Sequence, residues 1–427
     1  MKGLVIRNGR VIDPANDFDD VADLFIVDGR IAAVGQAPAS FQAEQSLDAA
    51  GLVVCPGLVD LSARLREPGA THKATIASEA QAAVAGGITT LCLPPDTQPV
   101  IDTPSVVQLV LRRAEEAGAA RVVPLGALTQ QLAGQLLSGM AALRDAGCPA
   151  LSDGGRPVVN SRVLRRALEY AATFELPVLL TPKDVYLSEG GLIHEGAVAT
   201  RLGLPGIPEA AETAALARDL ALVEQTGARV HFARLSAARA ADWLARARRD
   251  GLPVSADVAA HQLFLTEMDL WDFNATCRVE PPLREQRDRD ALRRAVAEGV
   301  IEVICSDHQP HEPDAKDAPL AGTEPGVSGL DTLLALVLRL VQEDVLPLPR
   351  ALATVTCNPA RLLGLDAGHL TPGAPADLCL FDPDRPWRLT AEAMRSRGRN
   401  SPFLGWEFTG QVVHTLVGGR CVYSCQE

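Results

Sequence analysis

Val53-Val54-Cys55-Pro56-Gly57-Leu58-Val59-Asp60-Leu61-Ser62-Ala63-Arg64-Leu65-Arg66-Glu67-Pro68-Gly69 is an apolar, β-branched run that ends abruptly in charged residues. A run of this kind, punctuated by Pro56-Gly57 and closed by Pro68-Gly69, reads as a buried strand whose carboxyl end opens into a loop. Side chains two apart on a strand point the same way, so Ser62 and Arg64 share one direction at that end.

Beyond this stretch, short apolar segments alternate with alanine- and leucine-rich helical ones. Strands are expected at 89–93, 121–124, 150–152, 178–181, 229–233, 254–258 and 300–306, and helices at 76–85, 210–224 and 284–297 among others. With the opening strand this makes eight βα units, which predicts an α/β fold, a TIM-like (β/α)8 barrel with function at the carboxyl ends of its strands. Residues 3–54 instead alternate short β-branched segments with turns, including Asn8-Gly9 and Asp28-Gly29, and read as a small antiparallel sheet. The far end, from Asp377 to Gly419, has the same texture. Neither end supplies enough strands alone, so both are expected to pair into one small β-sandwich domain, 1–54 with 366–427, around a barrel at 55–365.

The 427 residues and 47% hydrophobic content suit one large barrel plus an accessory domain. No run of about twenty apolar residues occurs, and the amino terminus begins as a strand, so a cytoplasmic protein is expected. The nine cysteines are scattered through apolar runs without Cys-x-x-Cys spacing and read as reduced core residues. A net charge of −13 disfavours nucleic acid and anionic membrane as partners.

The opening stretch resembles the first barrel strand of the dihydroorotases, metal-dependent cyclic amidohydrolases of pyrimidine synthesis, where the same frame carries His-x-His before Leu-Arg-Glu-Pro-Gly. The likeness continues through Leu151-Ser152-Asp153-Gly154-Gly155-Arg156-Pro157, Val178-Leu179-Leu180-Thr181, Val230-His231-Phe232-Ala233-Arg234-Leu235-Ser236 and Ser306-Asp307-His308-Gln309-Pro310-His311. It also takes in Val279-Glu280-Pro281-Pro282-Leu283-Arg284 and Thr323-Glu324-Pro325-Gly326, and spans nearly the whole chain. The resemblance implies the composite terminal domain as well as the barrel. It places the family's four histidine ligands at Ser62, Arg64, Thr181 and Arg234. Serine is a poor zinc ligand and arginine keeps its proton. Asp153 and Asp307 stand as vestigial carboxylates, Asp307 where the family has a metal ligand and general acid/base. His231 matches a family histidine that is not a ligand.

The family's substrate pocket maps onto Arg66, Asp96, Glu280 and His311. Asp96 and Glu280 replace asparagines; Asp96, beside three prolines, reads equally as a polar turn. An ionised carboxylate cannot donate and repels an anion, so dihydroorotate and carbamoyl aspartate are not expected to bind. Arg64 and Arg234 are expected to pair with Asp153 and Asp307 in place of metal. No metal, no cofactor and no hydrolytic activity of the family type are expected. The resemblance implies a non-catalytic dihydroorotase-like chain that supports assembly of aspartate carbamoyltransferase, its partner in a hetero-oligomer. The alternatives are a metal-independent or altered-metal hydrolase of a small cyclic amide, and a small-ligand binding protein using Arg66 and His311.

Overall fold

At Gly57 the chain passes from one sheet to another. In the computed structural model, which describes residues 2–425, Val53–Pro56 pairs in parallel with Arg10 and Val11 and antiparallel with Leu378 to Phe381. Leu58–Asp60 pairs in parallel with the strand Ile88–Leu93. Gly57 sits so close to the second strand that a Cβ there would lie 2.2 Å from the Thr89 side chain. Every residue of both short strands is buried, which accounts for the apolar sequence up to Asp60, whose buried carboxylate accepts from Ser306 N–H at 2.9 Å. The stretch is thus two strands rather than one, and the terminal sheet extends to Pro56, two residues beyond the expected boundary.

The barrel strands are Leu58–Asp60, Ile88–Leu93, Arg121–Pro124 continued by Gly126–Ala127, Leu151–Ser152, Val178–Leu180, Val230–Phe232, Val254–Ala259 and Val303–Cys305. Neighbours run parallel around the ring. The ring closes between its last and first strands, where Arg64 N–H donates to the His308 carbonyl at 2.8 Å and His308 N–H to the Ser62 carbonyl at 3.1 Å. Alternation sorts the side chains. Leu91, Leu93, Val178, Leu180 and Ile304 join the large core that includes the helices. Cys92, Leu179, Val303 and Cys305, one step out of phase, form a separate inner cluster with Leu61 and Leu125. Helices Ile76–Ala85, Pro104–Ala117, Ser161–Thr173, Ala210–Thr226, Ala238–Arg249 and Gln286–Ala297 intervene between strands. The first is closed at its start by a reciprocal Thr75–Ser78 capping box.

Both chain ends build one eight-stranded sheet: Lys2–Asp13, Phe18–Val27, Arg30–Val34, Gln42–Asp48, Val53–Pro56, Leu378–Arg388, Glu407–Val417 and Arg420–Ser424. The long first strand pairs with Gln42–Asp48 over its first half and with Val53–Pro56 over its second. The sheet divides there around a second core of Ile6, Leu24, Ile31, Leu378 and Leu416. Two expectations are corrected. Both of those pairings are parallel, so the sheet is mixed. Asn8-Gly9 is a bulge inside the first strand, with Asn8 at φ 62°, and not a hairpin turn. Asp28-Gly29, with φ 50° and 75°, does form the two-residue turn between Val27 and Arg30. Seven cysteines are buried, Cys421 is exposed and Cys425 half-buried, and all nine carry free thiols. Among the described residues no helix is long and apolar enough to cross a membrane.

Candidate functional site at the barrel mouth

Asp307, just past the last strand, is 1% exposed and lies at the centre of a network that gathers three of the four expected ligand positions. Its Oδ1 accepts from Arg64 Nη1 and Arg234 Nη1, each at 3.4 Å, and from Ser62 Oγ at 3.5 Å. Arg234 Nη1 also donates to Ser62 Oγ at 3.4 Å, and its Nη2 reaches the fourth position, Thr181 Oγ1, at 3.2 Å. Burial opposes the charge on Arg234, yet Asp307, Asp257 and Asp153 more than offset it and raise its pKa. Arg66, Arg234 and Asp307 all have φ between 43° and 62°, a backbone conformation that side chains other than glycine rarely adopt.

Asp153 departs from the expected pairing. Neutral donors hold it: Thr181 N–H at 2.7 Å, Thr181 Oγ1 at 2.9 Å and Gly155 N–H at 2.9 Å. Burial raises its pKa while these bonds pull it down. Both arginines therefore converge on one carboxylate, because Thr181 stands between Arg234 and Asp153.

Above this floor lies a crevice of about 240 Å³ lined by Arg64, Arg66, Asp96, Thr181, Arg234, Glu280 and His311, with Gly155, Arg156 and Glu324 among the further walls. Asp96 Oδ2 accepts from Arg64 Nε at 2.7 Å, and Glu280 is paired with Lys183. Each of these two carboxylates thus already faces a cation of the protein, Asp96 sharing Arg64 with Asp307. Arg66 donates to the Pro310 carbonyl at 3.0 Å and contacts His311 Nε2 at 3.1 Å. His311 Nε2 lies 3.0 Å from the Pro325 carbonyl and its Nδ1 lies 3.1 Å from Lys73 Nζ. Burial, then the charges of Arg66 and Lys73, push His311 down to about 3, so the ring is neutral. Nε2–H donating to the Pro325 carbonyl and Nδ1 accepting from the Lys73 ammonium satisfies those two contacts and leaves Arg66 Nη2 facing a donor.

Sequence reasoning left several neighbours of the site unassigned. His231 joins Asp257 at 2.9 Å and Ser255 at 2.8 Å, and Asp257 in turn accepts from Arg234 N–H at 2.7 Å. His261 is 2% exposed, has no hydrogen-bond partner among the described residues on either ring nitrogen, and is pushed down to about 4 by burial, with Asp307 and Arg234 acting in opposite senses. His194 contacts Arg284 at 3.2 Å and His72 faces Glu312 at 3.7 Å, both away from the floor. Lys73 pairs with Glu324 at 2.6 Å. Only the position of His261 just after the seventh strand could have marked it in advance.

The donors at the former ligand frame are two carboxylates, two hydroxyls and two protonated guanidiniums. This set does not fit zinc, which needs thiolate, imidazole or carboxylate donors in tetrahedral number. Among the described residues no group of three or more His, Cys, Asp or Glu side chains is arranged to hold a metal ion.

Comparison with known proteins follows the same lines. Residues 51–239 match a family model described as dihydro-orotase-like, and 322–423 one described as amidohydrolase family. The chain is 54% identical over 418 residues to a dihydroorotase-like protein of Pseudomonas aeruginosa, covering 98% of this chain and 99% of that one. It is 52% identical to a dihydroorotase-like protein of Pseudomonas putida, covering 97% and 98%. A dihydroorotase of Anaeromyxobacter dehalogenans is 44% identical, with 98% of each chain covered. Among solved structures, the L-hydantoinase of Arthrobacter aurescens superposes with a TM-score of 0.88 at 24% identity, over 100% of this chain and 97% of that one. That identity speaks for the fold, a barrel with its attached sheet domain, and not for the reaction. On identity and coverage together, the chain belongs to the dihydroorotase-like amidohydrolases.

Proposed function

We propose that this chain is a catalytically inactive dihydroorotase-like subunit that supports the assembly and activity of aspartate carbamoyltransferase in pyrimidine synthesis. The observation that carries the reading is the sharing of Asp307 between Arg64 and Arg234. Opening a cyclic amide near neutral pH needs an activated water and a polarised carbonyl, and in the family the resemblance points to, a metal provides both. Here the carboxylate that would serve as ligand and acid/base is engaged by two cations that never give up their protons. The hydroxyls of Ser62 and Thr181 donate to Asp307 and Asp153 and each accepts from Arg234, so the guanidinium that occupies both oxygens also draws charge from the carboxylates beside them. An intact fold stripped of its chemistry retains its surface, and a surface is what an assembly subunit uses. The two relatives above half identity also carry the description dihydroorotase-like protein.

The 44% likeness to a chain named dihydroorotase favours the second reading, a metal-independent or altered-metal cyclic amidohydrolase. Two measurements on protein purified untagged from its own cell separate the readings. The subunit reading expects aspartate carbamoyltransferase to co-purify, and no turnover of dihydroorotate or carbamoyl aspartate with or without added zinc. Turnover by a chain that purifies alone selects the hydrolase.

A further inference from the structure

The crevice floor holds hydrogen-bond donors that the protein itself does not use. Arg64 directs Nε to Asp96 and Nη1 to Asp307, and among the described residues nothing accepts from its Nη2. Arg234 is 7% exposed, and its Nε is buried without a partner among the described residues. The two Nη2 groups, that of Arg234 with one hydrogen already given to Thr181 Oγ1, converge beside Gly155. A Cβ built there would sit 3.4 Å from Arg64 Nη2 and 3.6 Å from Arg234 Nη2, and the residue holds φ 80° with no side chain to fill the gap. Gly155 also lines the 240 Å³ crevice, so the gap is reached from solvent.

We propose that this gap is an oxyanion site, in which Arg64 Nη2 and Arg234 Nη2 bind a small phosphate or carboxylate at the position vacated by the family's metal chemistry. The placement of the charges supports it. Glu280 is matched by Lys183 and Glu324 by Lys73. Arg64, Arg66, Arg156 and Arg234 face Asp96, Asp153, Asp307 and Asp257, equal in number, but Arg66 and Arg156 line the open crevice outside any ion pair. Among the described residues the Arg66 side chain has no carboxylate within ion-pair distance, only Pro310 and His311, and the side chain of Arg156 at the rim has no partner. Burial and then the neighbouring Arg64 lower Arg66 to about 10, against the opposite pull of Asp96, Glu324 and Asp307. Guanidinium forks match oxyanion geometry, and Asp96 and Asp307 already fix both side chains, so little rotamer freedom is lost on binding. The site stands independently of any role as a subunit.

Calorimetric titration of the purified chain with inorganic phosphate, with acetate and with chloride at constant ionic strength tests this. Saturable one-to-one binding of phosphate or acetate, with no chloride response, is expected; the ion that saturates identifies the oxyanion. Arg64→Gln should weaken it at least about tenfold, the scale of one charge-assisted hydrogen bond. Should that variant not fold, a crystal of the unaltered protein grown with the saturating ion decides, and density beside Gly155 Cα between the two Nη2 atoms is expected. No saturation below about 10 mM of either oxyanion, weaker than the millimolar end of specific binding, overturns the proposal. So does density on Arg66 alone, or affinity unchanged in a folded Arg64→Gln protein.

Discussion

Asp307 carries one negative charge and faces two guanidiniums, and the two are not equivalent. Arg234 is buried and also touches Ser62 and Thr181, whereas the Arg64 side chain is 11% exposed, lines the crevice and is tied to Asp96. Removing the buried partner leaves a desolvated carboxylate short of compensation. Arg234→Met is therefore expected to cost about 3–5 kcal/mol. Arg64→Met is expected to cost less, about 1–3 kcal/mol, because water entering the crevice replaces its bonds. Chemical denaturation of the two variants checks the order; a larger loss for Arg64 contradicts it. His261 supplies a pH-dependent test. Its folded pKa is near 4 against an ordinary value of about 6.5, so between those values the unfolded chain binds the extra proton. Its contribution to stability is complete above about pH 6.5 and is lost as pH falls toward 4. Since neither ring nitrogen has a partner among the described residues, His261→Leu should melt increasingly above the parent protein as pH drops through that window. A constant difference from pH 7 to 4 would contradict it. The identities Ser62, Arg64, Thr181 and Arg234 were legible because strand ends recur at predictable places. Their partners were not: whether Asp153 meets Arg234 or Thr181 depends on rotamers that sequence spacing does not specify.

At the scale of elements, the junction at Gly57 couples the two sheets. A methyl group there meets Thr89 at 2.2 Å and has no room to move, because Leu58 and Thr89 are buried. Gly57→Ala is expected to destabilise by about 1–3 kcal/mol, the usual cost of overpacking. It should lower the melting temperature of the whole chain in one transition, and an unchanged temperature would show that the junction yields freely. Most barrel strands were readable as apolar runs near their observed limits, since a parallel strand covered on both faces leaves a continuous signature. The split at Pro56-Gly57 was hidden because both short strands are equally apolar. The Asn8-Gly9 bulge was hidden because the same dipeptide serves hairpin turns and bulges, and the register of distant strands decides between them.

At the scale of the molecule, the sheet built from both chain ends is fastened to the barrel. Arg121 in the third barrel strand makes two bonds to Asp377, at 2.8 and 3.1 Å, and Thr415 Oγ1 donates to the Val84 carbonyl at 2.6 Å. Pairing of the termini was foreseeable from strand count alone, but no residue of a partner-facing surface was legible, because exposed side chains carry no periodic constraint. Ala substitution at the buried Ser62 or the half-buried Thr181, both at the crevice floor, is expected to leave any assembly intact. The most direct measurement is sedimentation and activity of the aspartate carbamoyltransferase catalytic chain from the same cell, alone and with this chain added. The subunit reading predicts a larger, fully active complex with both chains and a smaller, weakly active or unstable transferase without this one. A transferase of unchanged size and full activity, indifferent to the addition, would contradict it.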